Sequence, residues 1–230
     1  MRVALFATCV NDALYPSTAI ATVRLLEHLG VEVDFPRAQT CCGQPQYNTG
    51  YRQQVEPLVR RMVKTFADYD YVVTPSGSCA AMVRLHYPRI GVGELPNMLE
   101  LTEFLVDVLG VVDVGAYYPH TVTYHPSCHG LRMLGLGDRP RKLLEAVSGL
   151  TLVELPGADE CCGFGGTFAV KNPDVSTAMG QDKITHAAET GAEVLCGADN
   201  SCLMHLDGLL RRADSPIRPV HLAEILASEA

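Results

Sequence analysis

Short apolar runs alternate with longer amphipathic segments along the first half of this chain. An apolar run bounded by turn residues is typical of a buried strand, and apolar positions spaced three and four apart are typical of a helix. We therefore predict strands at residues 2–7, 31–35 and 70–74 and helices at residues 17–29 and 51–67. Ser17 is the expected cap of the first helix, and Gly30 is its expected stop.

The second half repeats this order of elements. The predicted strands are Thr121–His125, 151–155 and 193–197, and the predicted helices are 139–147 and Pro173–Glu189. Each half closes with an apolar segment that we predict to be helical, at residues 97–109 and 220–227. A weakly patterned stretch containing Gly115 and Pro119 is the expected linker, which divides the chain into domains at 1–115 and 116–230.

Alternating strands and helices predict the fold class. We expect an α/β protein of two pseudo-symmetric repeated domains, each an open, mainly parallel sheet with flanking helices. Ligands of such sheets bind beyond the carboxyl ends of the strands. Residues that directly follow the predicted strands are therefore the candidates for a functional site.

Cysteines follow the predicted strands in both halves. The first set is Cys9, Cys41, Cys42 and Cys79, and the second set is Cys128, Cys161, Cys162 and Cys202. The successive gaps are 32, 1 and 37 positions in the first set and 33, 1 and 40 in the second. Each set contains a Cys-Cys-Gly triplet, and only Cys196 falls outside the pattern. A repeat of this length indicates a duplicated domain.

Composition narrows the class of protein. Of the 230 residues, 47% are hydrophobic and 19% are charged, as expected of a globular protein with a core. The net charge of −8, without a basic run, argues against nucleic acid and against an anionic membrane surface as partners. We find no stretch apolar enough to span a bilayer and no signal peptide, and we expect a cytoplasmic protein.

Nine cysteines are many for a cytoplasmic chain, where disulfides are rare. Four thiolates suit either an iron–sulfur cluster or a tetrahedral zinc ion. Zinc sites often use C-x-x-C pairs, which this sequence lacks, so the pattern favours clusters. Two alternatives stay open: a zinc-bound structural or assembly protein that uses the same cysteines, and a thiol–disulfide reductase subunit.

Several stretches around these cysteines resemble the cysteine-rich CCG-domain family, which includes the cysteine-rich subunit of heterodisulfide reductase and the iron–sulfur subunit of glycolate oxidase. The resemblance is strongest to its short two-domain members that act in lactate utilisation. The stretches that carry it are residues 6–12, 39–48, 75–79, 125–129, 161–168 and 201–205.

This resemblance implies an iron–sulfur subunit, without flavin, of an oxidoreductase complex that oxidises L-lactate or a related 2-hydroxy acid to pyruvate. The implied cofactor is an iron–sulfur cluster of the [4Fe–4S] type, up to one per half, and the implied partners are the other iron–sulfur subunits. The implied cluster and metal ligands are Cys9, Cys41, Cys42, Cys79, Cys128, Cys161, Cys162 and Cys202. The resemblance does not assign a catalytic residue.

The chain departs from the fullest family motif at two positions. That motif ends in Cys-x-x-Cys, and here Ser76 and Asp199 replace its first cysteine. Four thiolates per half suffice for a [4Fe–4S] cluster, but the departure argues against a five-cysteine cluster and its disulfide chemistry. We predict that Asp199 caps the helix that begins near Ser201.

Four further residues have open roles. Cys196 lies within a predicted strand, where a lone cysteine usually behaves as a small hydrophobe. His125, His129 and His205 lie near cysteines of the second set, where they could tune a cluster, relay protons, replace a thiolate or simply form hydrogen bonds. The sequence lacks the glycine fingerprint of a nicotinamide or flavin site after its first strand.

Overall fold

Two four-stranded parallel sheets form the framework of the protein, as seen in a computed structural model that describes residues 1–229. The strands are β1 (Val3–Leu5), β2 (Val33–Asp34), β3 (Tyr71–Thr74), β4 (Met98–Glu100), β5 (Thr121–His125), β6 (Thr151–Val153), β7 (Val194–Gly197) and β8 (Arg218–His221). The predicted α/β class with two repeated sheets is confirmed.

Helices follow most strands and cover the sheets. They are α1 (Cys9–Leu14), α2 (Pro16–His28), α3 (Gln44–Asn48), α4 (Arg52–Phe66), α5 (Gly77–Ala81), α6 (Tyr87–Ile90), α7 (Leu101–Glu103), α8 (Arg139–Glu145), α9 (Thr167–Lys171), α10 (Pro173–Glu189), α11 (Asn200–Arg212) and α12 (Leu222–Leu226). Wider π-helical turns occupy Met82–His86, Phe104–Val108 and His129–Leu134. None of the helices within residues 1–229 combines the length and apolar character needed to cross a membrane.

The two sheets share one topology. The strand order is β2-β1-β3-β4 in the first sheet and β6-β5-β7-β8 in the second. Every pairing is parallel, with Val3 opposite Tyr71 in one sheet and Val122 opposite Val194 in the other. Because all strands of a sheet point the same way, the residues after β1 and β3 meet at one edge, as do those after β5 and β7.

Two segments differ from the sequence-based expectation. Residues 97–109 and 220–227, predicted as helices, each lie partly in a fourth strand, β4 or β8, before a helix begins. Ser17 does not cap the first long helix, because α2 already begins at Pro16. The Ser17 hydroxyl instead donates to Glu224 of α12, 3.2 Å away.

A shared apolar core joins the two halves. Leu25 and Leu101 from the first half pack in one cluster with Val122 and Leu222 from the second. Full burial of each such side chain contributes about 1.5–3 kcal/mol. Two further clusters lie one in each half, and they enclose Cys42 with Cys79 and Cys162 with Cys202. The division of the chain at residues 115 and 116 stays a prediction.

Candidate metal centres

The first cysteine set converges beyond the carboxyl ends of β1 and β3. Cys9 begins α1, Cys41 and Cys42 lie in the loop after β2, and Cys79 lies in α5. The sulfur atoms of Cys9 and Cys41 are 3.5 Å apart, and those of Cys42 and Cys79 are 3.4 Å apart. Four thiols that are far apart in sequence thus form one continuous group.

The second set repeats the arrangement. Cys128 contacts Cys161, Cys161 contacts Cys162, and Cys162 contacts Cys202, in the order seen in the first set. The sulfur atoms of Cys162 and Cys202 lie within 4.8 Å of each other. All eight cysteines are free thiols. The structure therefore brings together every residue of both predicted sets, while their role as ligands stays a prediction.

A strained residue precedes the first cysteine of each set. Thr8 and Ser127 have positive φ angles of 75° and 55°, a conformation that non-glycine residues rarely adopt. Each hydroxyl accepts a hydrogen bond from a backbone N–H three residues later, at 3.4 Å from Asn11 and 3.2 Å from Gly130. These bonds hold the turn that directs Cys9 and Cys128 toward their partners.

The glycine of each Cys-Cys-Gly triplet supports the preceding cysteines. The N–H groups of Gly43 and Gly163 donate to the sulfur atoms of Cys41 and Cys161, both at 3.4 Å. Both glycines have positive φ, 85° and 89°. A Cβ on Gly43 would lie 2.8 Å from the Val55 side chain, and one on Gly163 would collide with the backbone of Ser176. Only glycine fits these two positions without strain.

Hydrogen bonds among the thiols lower the pKa of one thiol in each set and raise the pKa of its neighbours. The Cys42 and Cys9 thiols donate to Cys41 and lower its pKa to about 3. Donation from Cys128 and Cys162 likewise lowers the pKa of Cys161 to about 2. The same bonds, together with burial, raise the pKa of Cys9, Cys42, Cys128 and Cys162. Cys41 and Cys161 are therefore the most acidic thiols of their sets, and a metal would displace protons from their neighbours.

A cleft between the halves leads to the first set. It encloses about 210 Å³ and is lined by Cys9, Cys41, Cys42 and Cys79 on one side. Phe164, Thr167 and Asp199 of the second half line the other side. Cys9 is exposed, whereas Cys42 and Cys79 are buried. Solvent therefore reaches the first set from its Cys9 end.

Two of the three histidines with open roles face the second set. His125 is 1% exposed, neither of its ring nitrogens has a hydrogen-bond partner within residues 1–229, and a ring nitrogen lies within 4.8 Å of the Cys162 and Cys202 sulfurs. Burial lowers its pKa to about 4. His129 Nδ1 lies 3.5 Å from the Cys128 sulfur. His205 instead contacts the Ser176 carbonyl at 3.2 Å, as expected of a hydrogen-bonded structural histidine.

Gln44 is a site residue that sequence reasoning missed. Its side-chain Nε2 lies 3.0 Å from His129 Nε2 and 3.3 Å from the Ser78 carbonyl oxygen. It thereby links the segment after Cys42 to the second set. Its position two residues after Cys42 was the only available signal, because a contact 85 positions along the chain leaves no local pattern.

Ser76 and Asp199, which replace the first cysteine of the Cys-x-x-Cys motif in their halves, meet across the interface between the halves. Ser76 Oγ donates to Asp199 Oδ2 at 3.2 Å, and the backbone N–H of Ser78 donates to the same oxygen at 2.8 Å. The second carboxylate oxygen accepts from the N–H of Ser201 at 3.1 Å, so the predicted helix cap is present at the start of α11. Cys196 lies in β7, fully buried in the shared core and apart from both sets.

Three observations bear on whether these residues fit a bound metal or cluster. The donor sets are four soft thiols each, the ligand type that zinc and iron–sulfur clusters prefer. Backbone N–H groups already point at two of the sulfurs. His125 has two orphaned buried nitrogens, each of which would cost about 1–3 kcal/mol if it stayed without a partner. The residues therefore fit such a group.

Comparisons with known proteins agree with this architecture. The profile of the cysteine-rich domain family, CCG, matches residues 3–84 and 122–207. "Lactate utilization protein A" of Geobacillus thermodenitrificans is 51% identical over 236 residues, covering 98% of each chain. The protein of that name from Bacillus subtilis is 48% identical, covering 99% of this chain and all of its own, and the one from Oceanobacillus iheyensis is 49% identical, covering 98% and 96%.

Similarity to solved structures is weak. A putative Asp/Glu racemase from Yersinia pestis matches 99% of this chain and 96% of its own, with 9% identity and a TM-score of 0.40. Glutamate racemase RacE1 from Bacillus anthracis matches 98% and 78%, with 12% identity and a TM-score of 0.39. These values support no inference about this chain.

The family profile covers both cysteine sets, and the relatives match over nearly their whole length. Convergent thiols in such a domain indicate binding of a metal or an iron–sulfur cluster. The chain belongs to the cysteine-rich CCG-domain family, in the group that includes the lactate utilization protein A sequences.

Proposed function

We propose that this protein is an iron–sulfur subunit of a cytoplasmic oxidoreductase complex that oxidises L-lactate, or a related 2-hydroxy acid, to pyruvate. Its role is electron transfer, with one [4Fe–4S] cluster in each half and with other iron–sulfur subunits as partners. The proposed ligands are Cys9, Cys41, Cys42 and Cys79 in residues 1–115 and Cys128, Cys161, Cys162 and Cys202 in residues 116–230. The names of the relatives support lactate as the substrate.

One observation carries the proposal: eight cysteines from distant parts of the chain converge into two groups of four with the same order of contacts. A bound cluster would supply one-electron chemistry. The chain itself holds the thiolates, excludes water from Cys42 and Cys162, and directs the N–H groups of Gly43 and Gly163 at sulfur. Such hydrogen bonds stabilise charge on a ligand sulfur.

The test is quantitation of iron and acid-labile sulfide after anaerobic purification, with electron paramagnetic resonance of the reduced protein. We expect the native chain to contain both elements in equal amount. Cys42→Ser and Cys162→Ser should each lose about half of the iron, because each removes a buried ligand from one set only. Cys196→Ser is the matched control, since Cys196 is buried in the core but lies apart from both sets.

Activity is the second readout of these variants. In the reconstituted complex, Cys42→Ser and Cys162→Ser should abolish lactate-dependent reduction of an electron acceptor, whereas Cys196→Ser should keep it. Iron and turnover that both survive in Cys42→Ser or Cys162→Ser would contradict the proposal. A native chain that never takes up iron would contradict it more directly.

Zinc binding is a second candidate, favoured by the sulfur spacing. Sulfurs bound to one tetrahedral zinc at 2.3 Å lie about 3.8 Å apart. The observed 3.4 and 3.5 Å separations are close to that value. Zinc without sulfide, and no visible absorption after reconstitution with iron and sulfide, would replace the cluster assignment by a structural zinc site.

A further inference from the structure

The two cysteine sets differ at two equivalent positions. His125 lies three residues before Cys128 and His129 one residue after it, whereas Phe6 and Val10 take these places around Cys9. Phe6 is fully buried and packs edge-on against Phe66, with ring centroids 5.9 Å apart. The second set therefore has two imidazoles where the first set has only apolar side chains.

His125 faces the sulfurs of the second set from inside the protein. The ring is buried, its two nitrogens have no partner among residues 1–229, and the Cys162 and Cys202 sulfurs lie within 4.8 Å. A neutral imidazole carries one N–H, which needs an acceptor. The sulfur-rich site is the acceptor that the geometry offers.

The hydrogen bonds around His129 fix its tautomer. The side-chain Nε2 of Gln44 carries two hydrogens and lies near two groups, the Ser78 carbonyl oxygen and His129 Nε2. A carbonyl oxygen can only accept, and a Gln44 amide that donates to it directs its other hydrogen at His129 Nε2. The proton of the neutral His129 ring therefore lies on Nδ1, 3.5 Å from the Cys128 sulfur. Gln44 is thus a positioning residue that acts on the second set from the first half.

We infer that His125 and His129 donate N–H hydrogen bonds to sulfur at the second site only, and that the second site consequently has a higher reduction potential than the first. Hydrogen bonds to the sulfurs stabilise the reduced, more negative state of a cluster. This inference rests on the proposed function, since it requires one cluster in each half. Transfer of one electron from the first site to the second then runs downhill, oxidising the first and reducing the second without bond cleavage.

The experiment is a redox titration of the full-length, anaerobically loaded chain followed by electron paramagnetic resonance. The native protein should show two separate midpoints. His125→Phe and His129→Val place the first-half residue at the equivalent second-half position. Each should move the higher midpoint down toward the lower one and leave the lower one unchanged. Gln44→Leu should also lower only the higher midpoint, although Gln44 belongs to the first half.

Two controls separate a donor role from general disturbance. His120→Phe removes a histidine at the opposite end of β5, where its Nδ1 pairs with Glu193 at 3.1 Å, and should leave both midpoints unchanged. His125→Gln and His129→Gln keep an N–H donor and should restore most of the native value. A single midpoint in the native protein, or unchanged midpoints in His129→Val, would overturn the inference.

Two other results have distinct meanings. Loss of half of the iron in His125→Phe would make His125 a ligand and overturn its donor role, while His129→Val still tests the donor role at the second site. A native chain without iron and sulfide would instead defeat the proposed function itself. Failure of the inference and failure of the function are therefore distinguishable.

Discussion

Replacement of Asp199 by alanine removes the acceptor at the centre of the interface between the halves. The carboxylate is 3% exposed and accepts from the backbone of Ser78 at 2.8 Å and from the Ser201 hydroxyl at 2.5 Å. It also accepts from Ser76 Oγ and from the Ser201 backbone. Burial alone would raise the pKa of Asp199, but the hydrogen bonds from Ser201 and Ser78 outweigh it and lower the pKa.

The expected magnitude follows from the donors left behind. Loss of the cap of α11 costs about 1 kcal/mol. The buried Ser78 N–H loses its only partner among residues 1–229, which costs about 1–3 kcal/mol, and Ser76 Oγ loses one hydrogen bond worth about 1 kcal/mol but keeps Ser78 Oγ at 3.3 Å. We therefore expect Asp199→Ala to lower the free energy of unfolding by about 3–5 kcal/mol, a large part of the stability of a typical domain.

Urea denaturation followed by circular dichroism measures this loss. Asp199→Asn keeps an acceptor oxygen for either the cap or the interface and should fall between the native protein and Asp199→Ala. Ser76→Ala removes the hydrogen bond to Asp199 and the cap of α5, in which Ser76 Oγ accepts from the Cys79 N–H at 3.4 Å, and should cost about 1–2 kcal/mol. Because the folded pKa of Asp199 is lowered, its contribution is present at neutral pH and is lost only as the pH falls through that lowered value. A loss below about 1 kcal/mol for Asp199→Ala would refute this account of the interface.

Three further predictions concern other buried residues. Burial raises the pKa of Glu100 from 4.5 to about 7, so its contribution to stability is present below pH 4.5 and is lost as the pH rises through about 7. The free energy of unfolding of Glu100→Gln should therefore rise by up to about 3 kcal/mol relative to that of the native protein between pH 4.5 and pH 8, as measured by urea denaturation at each pH. Parallel curves of unfolding free energy against pH for the two proteins would contradict this. The exposed Glu145→Gln controls for the change in charge. Gly163→Ala should destabilise the protein by about 1–3 kcal/mol, because the φ of Gly163 is positive and an added Cβ would meet Ser176. It should also deplete metal from the second half, which metal analysis would show. Gly191→Ala is the control, since its φ is also positive but its Cβ would meet nothing within 4 Å, and an equal loss there would point to φ alone. Cys196→Val should keep its full metal content, and loss of metal would mean that Cys196 contributes to a site.

The strands that sequence analysis predicted correctly are those set apart by turn residues. Residues 97–109 lack such a boundary, because β4 has only three residues and α7 begins at the next one. A short apolar run of this kind is as typical of a helix as of a strand. In the second half, Pro219 lies within β8, and proline is tolerated there because β8 is an edge strand. Edge position depends on the assembled sheet and leaves no trace in the local pattern.

The cysteine sets were predictable because every member follows a strand or lies in the loop beyond one, and parallel strands bring such positions together. The contacts around the two sets were harder to predict from the sequence. The cap formed by Asp199 is local and was predicted, whereas its contact with Ser76 spans 123 positions. The contact between Gln44 and His129 likewise depends on how the halves pack. Local patterns carry no information about partners supplied by the other sheet.

The contact between Ser76 and Asp199 makes the interface between the two similar halves asymmetric. These residues occupy equivalent positions three before Cys79 and Cys202. A symmetric dimer of a single ancestral domain would place identical residues on both sides of its axis. Two aspartates there would repel each other, and two serines could each cap a helix, as Ser76 does for α5, but would offer the Ser78 N–H no charged acceptor. A duplicated chain can instead place unlike residues at the two equivalent positions, so that donors of the first half meet a charged acceptor of the second.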